Sequence, residues 1–141
     1  MKFNAASRHG KCTIALIDER IISAAFIGSF DEIGVQNYAK QIKRLVNSFQ
    51  NQPFAMLINN LEIEGGTPDA YQVLDKYNEW LNQQAIIAKA FIIDNNVTKQ
   101  ILLARTPALK QQNIAFFENQ TDAKTWLKQQ FFQNKQSSQE L

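Results

Sequence analysis

The sequence predicts an α/β domain built on a mostly parallel sheet, and three observations predict it. Short apolar runs at residues 54–58, 86–93 and 114–117 alternate with segments of helical period. Two strand-like segments with a tight turn between them come first, at residues 12–18 and 21–27. The helical segments open on residues that cap helices. The expected order is β-β-α-β-α-β-α-β-α, with about four helices covering the sheet. Three consecutive β-α-β crossovers force most of the strands to run parallel, with right-handed connections. The chain of 141 residues suits one domain, placed at residues 1–132, with a flexible polar tail at 133–141.

Residues 12–18 alternate with a period near two. Glu19 and Arg20 make a turn into residues 21–27, so the pair is expected as an antiparallel hairpin that Gly28 ends. Ser29 and Glu32 fit a capping box, and Asp31 and Glu32 suit the positive end of a helix dipole. The first helix places Val35, Tyr38, Ile42, Leu45, Val46 and Phe49 on one face. Its other face carries Gln36, Lys40, Lys43 and Asn47. Pro53 precedes an unbroken apolar run over 54–58, the pattern of a central strand covered on both faces. Asn59 and Asn60 are expected to end that strand, and residues 61–66 to form a loop.

Thr67 reads as an N-cap with Pro68 as first helical residue. The second helix then buries Ala70, Leu74, Tyr77 and Leu81, with Tyr71 and Trp80 flanking that stripe. Residues 86–93 form a largely apolar strand, and Asp94-Asn95-Asn96 supplies a turn and a cap. The third helix starts near Val97 and carries Ile101, Leu102 and Leu103. Pro107 breaks it at Thr106, and a further helical turn covers 108–112. A short strand at 114–117 follows. Thr121-Asp122 caps a last helix with Ala123, Trp126, Leu127 and Phe131.

Composition narrows the function classes. With 45% hydrophobic residues the chain can build a core, so disorder is excluded. A net charge of +2 is too small for a phosphate-binding stripe. Lys99, Arg105 and Lys110 lack interleaved aromatics and read as a solvated face, so no nucleic-acid partner is expected. Cys12 is the only cysteine, which rules out an intramolecular disulfide and a Cys-based zinc site. No run approaches the ~20 apolar residues of a spanning helix, and residues 1–10 lack the apolar core of a signal peptide. A cytoplasmic protein without membrane insertion is the expectation.

In an open parallel sheet, ligands bind outside the carboxyl ends of the strands. The segments at 59–67 and 94–97 meet there, which makes Asn59, Asn60, Gly65, Gly66, Thr67 and Asn95 candidate ligand or partner contacts. Helix N-termini there offer free amides. The plainer reading of the same residues is turn and cap chemistry. Tyr71 and Trp80 are candidates for an aromatic pair lining a groove between the second and third helices, which Pro107 would open. Glu62, Glu64 and Asp69 form an acidic stretch that reads as solvated rather than as a cation site. His9 is the only histidine and reads as exposed, without a nucleophile to pair with. No catalytic residue, metal site or cofactor is expected.

The element order and several local phrases resemble the STAS superfamily, and within it the SpoIIAA-like branch. The phrases are Gly28-Ser29-Phe30, Pro53-Phe54-Ala55, Tyr77-Asn78-Glu79-Trp80-Leu81 and Ala88-Lys89-Ala90. Pro107-Ala108-Leu109 with Gln112-Asn113, and Ala123 with Trp126-Leu127, complete them. The resemblance covers about residues 10–130. It implies a four-helix, mixed-sheet SpoIIAA/STAS-like fold. Relatives of that fold bind nucleotides or partner proteins, or carry small nonpolar molecules. Antagonists in the superfamily have a phosphorylated serine in an Asp-Ser pair after the central strand. Here the region reads Glu64-Gly65-Gly66-Thr67-Pro68: the Asp-Ser pair is missing, and Thr67 is the only hydroxyl in its place. The expected function is a non-enzymatic module that docks a partner protein in a regulatory role, with a homodimer among the arrangements allowed. The alternative is a carrier or sensor of a small nonpolar or anionic ligand near the second and third helices.

Overall fold

The computed structural model describes residues 2–6, 10–18 and 20–139. Its strands are β1 (Lys2–Ala6), β2 (Gly10–Ile17), β3 (Ile21–Phe30), β4 (Phe54–Gly66), β5 (Ile86–Ile92) and β6 (Ile114–Phe117). Its helices are α1 (Glu32–Ser48), α2 (Pro68–Leu81), α3 (Asn96–Arg105) and α4 (Gln120–Gln139), with a 3-10 turn at Pro107–Gln111. One sheet holds the strands in the order β1-β2-β3-β4-β5-β6. β1, β2 and β3 pair antiparallel, and β3 to β6 pair parallel. The α/β class, the hairpin, the crossovers and the four helices are those expected. β1 is an addition: its sequence lacks clear alternation, and pairing along β2 makes it a strand.

Each crossover moves one strand along in the same direction. Right-handed connections therefore put α1, α2 and α3 on one face of the sheet. The main core lies there, with Ile22, Met56 and Ile58 from the strands beneath Tyr38, Ile42, Tyr77, Leu81 and Leu102 from the helices. α4 covers the other face, where Leu127 and Ala123 meet Ala55, Leu57, Ala88 and Ala90. β4 and β5 are thus covered on both sides, as the apolar runs predict.

Several boundaries differ from the expected ones, most of them near one end of the sheet. Gly28 does not end β3; it stays in the strand at φ +86°, which glycine tolerates, and β3 runs on to Phe30. Ser29 is consequently a strand residue rather than a cap. Asp31 is the N-cap of α1, its carboxylate accepting from the Gly34 amide at 2.9 Å. Asn59 and Asn60 do not end β4, and residues 61–66 are strand rather than loop. The pairing with β5 stops at Asn59, but β4 continues along β3 to Gly66. Ala25 pairs with Asn59 and Ile27 with Glu62, so β4 holds one extra residue there, and a second shift follows Gly28. The Asn59 side chain accepts from the Leu61 amide at 3.0 Å, taking a donor out of the ladder. Asparagine chemistry makes a bulge here instead of a stop.

Other local expectations hold. Thr67 Oγ1 accepts from the Ala70 amide at 3.1 Å, with Pro68 at the first helical position. Asn95 caps α3, accepting from the Val97 amide at 2.8 Å. Helix α3 ends before Thr106, and Pro107 starts the 3-10 turn. α4, by contrast, begins two residues earlier than a Thr121 cap places it, with Asn119 Oδ1 accepting from the Asp122 amide at 2.8 Å. It continues to Gln139, past Phe132, where a polar tail was expected to begin.

Leu127 is fully buried and is the main apolar anchor of α4. Leu127→Ala is expected to lower stability by about 2–5 kcal/mol. Urea unfolding followed by circular dichroism checks it; a loss below about 1 kcal/mol would show that α4 is not integral to the fold.

Candidate functional site

The bulged end of β4 opens a gap between the sheet and its helices. The gap encloses a cavity of about 110 Å³, walled by Phe26, Ile58, Phe91, Leu74 and Leu102. Ile63, Glu64, Gly65 and Gly66 line it from the end of β4, and Thr98 and Ile101 from α3. Glu64, Gly66 and Ile101 are solvent-exposed, which locates the mouth between β4, the start of α2, and α3. Gly65 sits there at φ +134°, and a Cβ on it would meet nothing within 4 Å. The glycine serves the backbone path at the mouth, not close packing.

The expected site residues divide. Asn60, Gly65, Gly66 and Tyr71 line the cavity, whereas Asn59, Thr67, Asn95 and Trp80 do not. Asn59, Thr67 and Asn95 are engaged in the bulge and in helix caps. Tyr71 and Trp80 are not a pair. They lie nine positions apart, about two and a half helical turns, and so on opposite flanks of α2. Tyr71 turns to the cavity. Trp80 stacks on Tyr77 at 6.3 Å, with the Lys43 ammonium 5.3 Å over its ring. Among the described residues, no group of three His, Cys, Asp or Glu side chains could share a metal ion. His9 lies outside the described residues.

The strongest chemistry in the cavity belongs to residues the sequence reading did not single out. Lys89 lies in the middle of β5, only 2% exposed, and lines the cavity. Its ammonium donates to Asn78 Oδ1 at 2.8 Å. The Tyr77 and Phe91 rings flank it at 5.8 and 5.9 Å. Asn78 is itself held: its Nδ2 donates to the Leu74 carbonyl at 3.0 Å, and Gln112 Nε2 donates to the same Oδ1 at 3.2 Å. Burial pushes the Lys89 amine down from 10.5 to about 7. Asn60, 7% exposed, adds a side-chain carbonyl oxygen without a hydrogen-bond partner among the described residues. Nearby, Tyr38 and Tyr77 hydroxyls lie 3.4 Å apart and burial raises both, as it raises Cys12 to about 12. A signal for Lys89 was present in the sequence. A lysine inside a strand covered on both faces is buried whichever way it points.

No family model matches the chain, and no curated protein sequence matches it. Solved structures do. An uncharacterised protein of the DUF3478 family with a SpoIIAA-like fold, from Shewanella loihica PV-4, aligns with TM-score 0.65 at 16% identity, over 86% of this chain and 97% of that one. An anti-sigma factor antagonist from Mycobacterium paratuberculosis aligns with TM-score 0.61 at 15% identity, over 88% and 98%. The chain therefore has the SpoIIAA-like, STAS-type α/β fold.

Between pH 7 and about 10 the unfolded chain holds a proton on Lys89 that the folded chain has shed. The position therefore carries a penalty that is full below pH 7 and fades as pH rises. Lys89→Met removes it. The Met variant is expected to be more stable by up to about 5 kcal/mol below pH 7, with the gap closing toward pH 10. Paired urea titrations across pH check this, since Cys12 and the tyrosines titrate alike in both proteins. A pH-independent gap would contradict it.

Proposed function

We propose that this chain is a non-catalytic binding module, working in the cytoplasm, that takes up a small, mostly apolar molecule between its sheet and helices α2 and α3. The single observation behind this reading is the cavity. It is walled by aliphatic and aromatic side chains, open at one end, and has a few polar groups, the pattern of small-molecule sites. Its place at the carboxyl ends of the parallel strands is where open α/β sheets receive ligands. No helix among the described residues is long and apolar enough to cross a membrane, and the single buried Cys12 suits a reducing compartment.

A second reading, regulatory docking of a partner protein, is favoured by the fold shared with an anti-sigma factor antagonist. Fold likeness is an associational warrant, because one fold hosts many functions. The two readings are compatible if a ligand at the mouth alters the exposed Val97 and Ile101 on α3.

Hexan-1-ol titrated into isotope-labelled protein is expected to shift the amide and methyl signals of Ile58, Leu74 and Leu102 saturably. Thr98→Trp, which plugs the mouth from α3, is expected to weaken that binding at least about tenfold while leaving the remaining spectrum intact. Unchanged cavity signals in the wild-type protein would sink the cavity reading and leave partner docking.

A further inference from the structure

The buried amine of Lys89 gives this cavity a polar group that a purely apolar ligand would leave unused. We propose that the cavity selects short monocarboxylic acids, with Lys89 pairing the carboxylate and the hydrocarbon part lying against Phe26, Ile58, Leu74 and Phe91. This rests on the ligand-binding reading and names the class of ligand.

An ammonium has three donors. Asn78 Oδ1 takes one, and that acceptor is neutral. The flanking rings offer only the weak attraction of their faces. Desolvation alone shifts the amine, with no carboxylate offsetting it. A buried cation in this state gains most from a charge-assisted partner. One ammonium with two remaining donors matches the single charge of a carboxylate. A phosphate, with more charge and more oxygens, would need more donors than these.

Size and charge narrow the class. An apolar cavity of about 150 Å³ holds the six carbons of benzene, so about 110 Å³ encloses some four or five non-hydrogen atoms, with room to extend toward the mouth. Glu64 at the mouth disfavours a second carboxylate at the far end.

Other ionisable groups surround Lys89. Tyr38, Tyr71 and Tyr77 are all pushed up by burial, and Cys12 rises to about 12, so they stay neutral through pH 9. β4 carries Glu62 and Glu64, α2 carries Asp69, Asp75, Lys76 and Glu79, and α3 carries Lys99 and Arg105; of these only Glu64 lines the cavity. Asp75 accepts from the Ala108 amide, and Lys99 lies over the Phe116 ring.

Binding a carboxylate holds the proton on Lys89. Affinity is then nearly flat from pH 5.5 to 6.5 and falls as pH rises above 7, by up to about eightyfold between pH 6.5 and 9.

Calorimetric titration of hexanoate and hexan-1-ol, on wild type and Lys89→Met, tests the proposal. At pH 6.5 wild type is expected to prefer hexanoate by at least about tenfold, and the variant to keep hexan-1-ol while losing that preference. Equal affinities in both proteins would overturn the carboxylate assignment and leave the cavity reading standing. Absence of binding by either ligand to wild type would overturn both. The wild-type pH profile for hexanoate is independent of the variant's folding, and a profile flat to pH 9 would also overturn the assignment.

Discussion

Two strands buried on both faces, β4 and β5, constrain the rest of this molecule. Their apolar side chains point both ways, so each face of the sheet has to be covered. The connections decide how. β3 to β6 advance in one direction, and right-handed crossovers leave α1, α2 and α3 together on one side. The opposite face has only α4, which crowds over β5 through Ala123 and Leu127. Small residues at 88 and 90 on that face let the helix approach closely.

The three-helix side is where the fold admits polar groups and empty space. Past Asn59, β4 has no β5 beside it and follows β3 alone. Helices α2 and α3 therefore span a floor that narrows beneath them, and the space is not filled by side chains. Lys89 enters that space from β5 and is tethered to α2 through Asn78. A buried amine held only by neutral groups is a poor stabilising device, because desolvation of the charge outweighs one hydrogen bond. The Tyr38–Tyr77 contact, by contrast, is ordinary packing of two large amphipathic rings whose hydroxyls meet each other. Lys89 is therefore the residue whose placement is least explained by folding, and the proposed ligand would give it a role.

Elements with local signals follow from the sequence alone. Thr67-Pro68 and Asn95 cap helices because a side-chain oxygen beside free amides does so in any fold. Pro107 ends α3 because it has no amide proton to give. The apolar runs at 54–58 and 86–92 became central strands because no other placement buries them on both faces. The end of the sheet depends instead on pairing between strands distant in the chain. Gly28, Asn59, Asn60, Gly65 and Gly66 carry stop signals, and pairing between β3 and β4 overrode them, since a neighbouring strand supplies partners that a local preference cannot foresee. The candidate site was half legible for the same reason. Helical geometry already sets Tyr71 and Asn78 on one flank of α2 and Trp80 on the other. That Asn78 meets Lys89, and that a cavity lies beside them, depends on how α2 sits over β5, a matter of packing between segments distant in the chain.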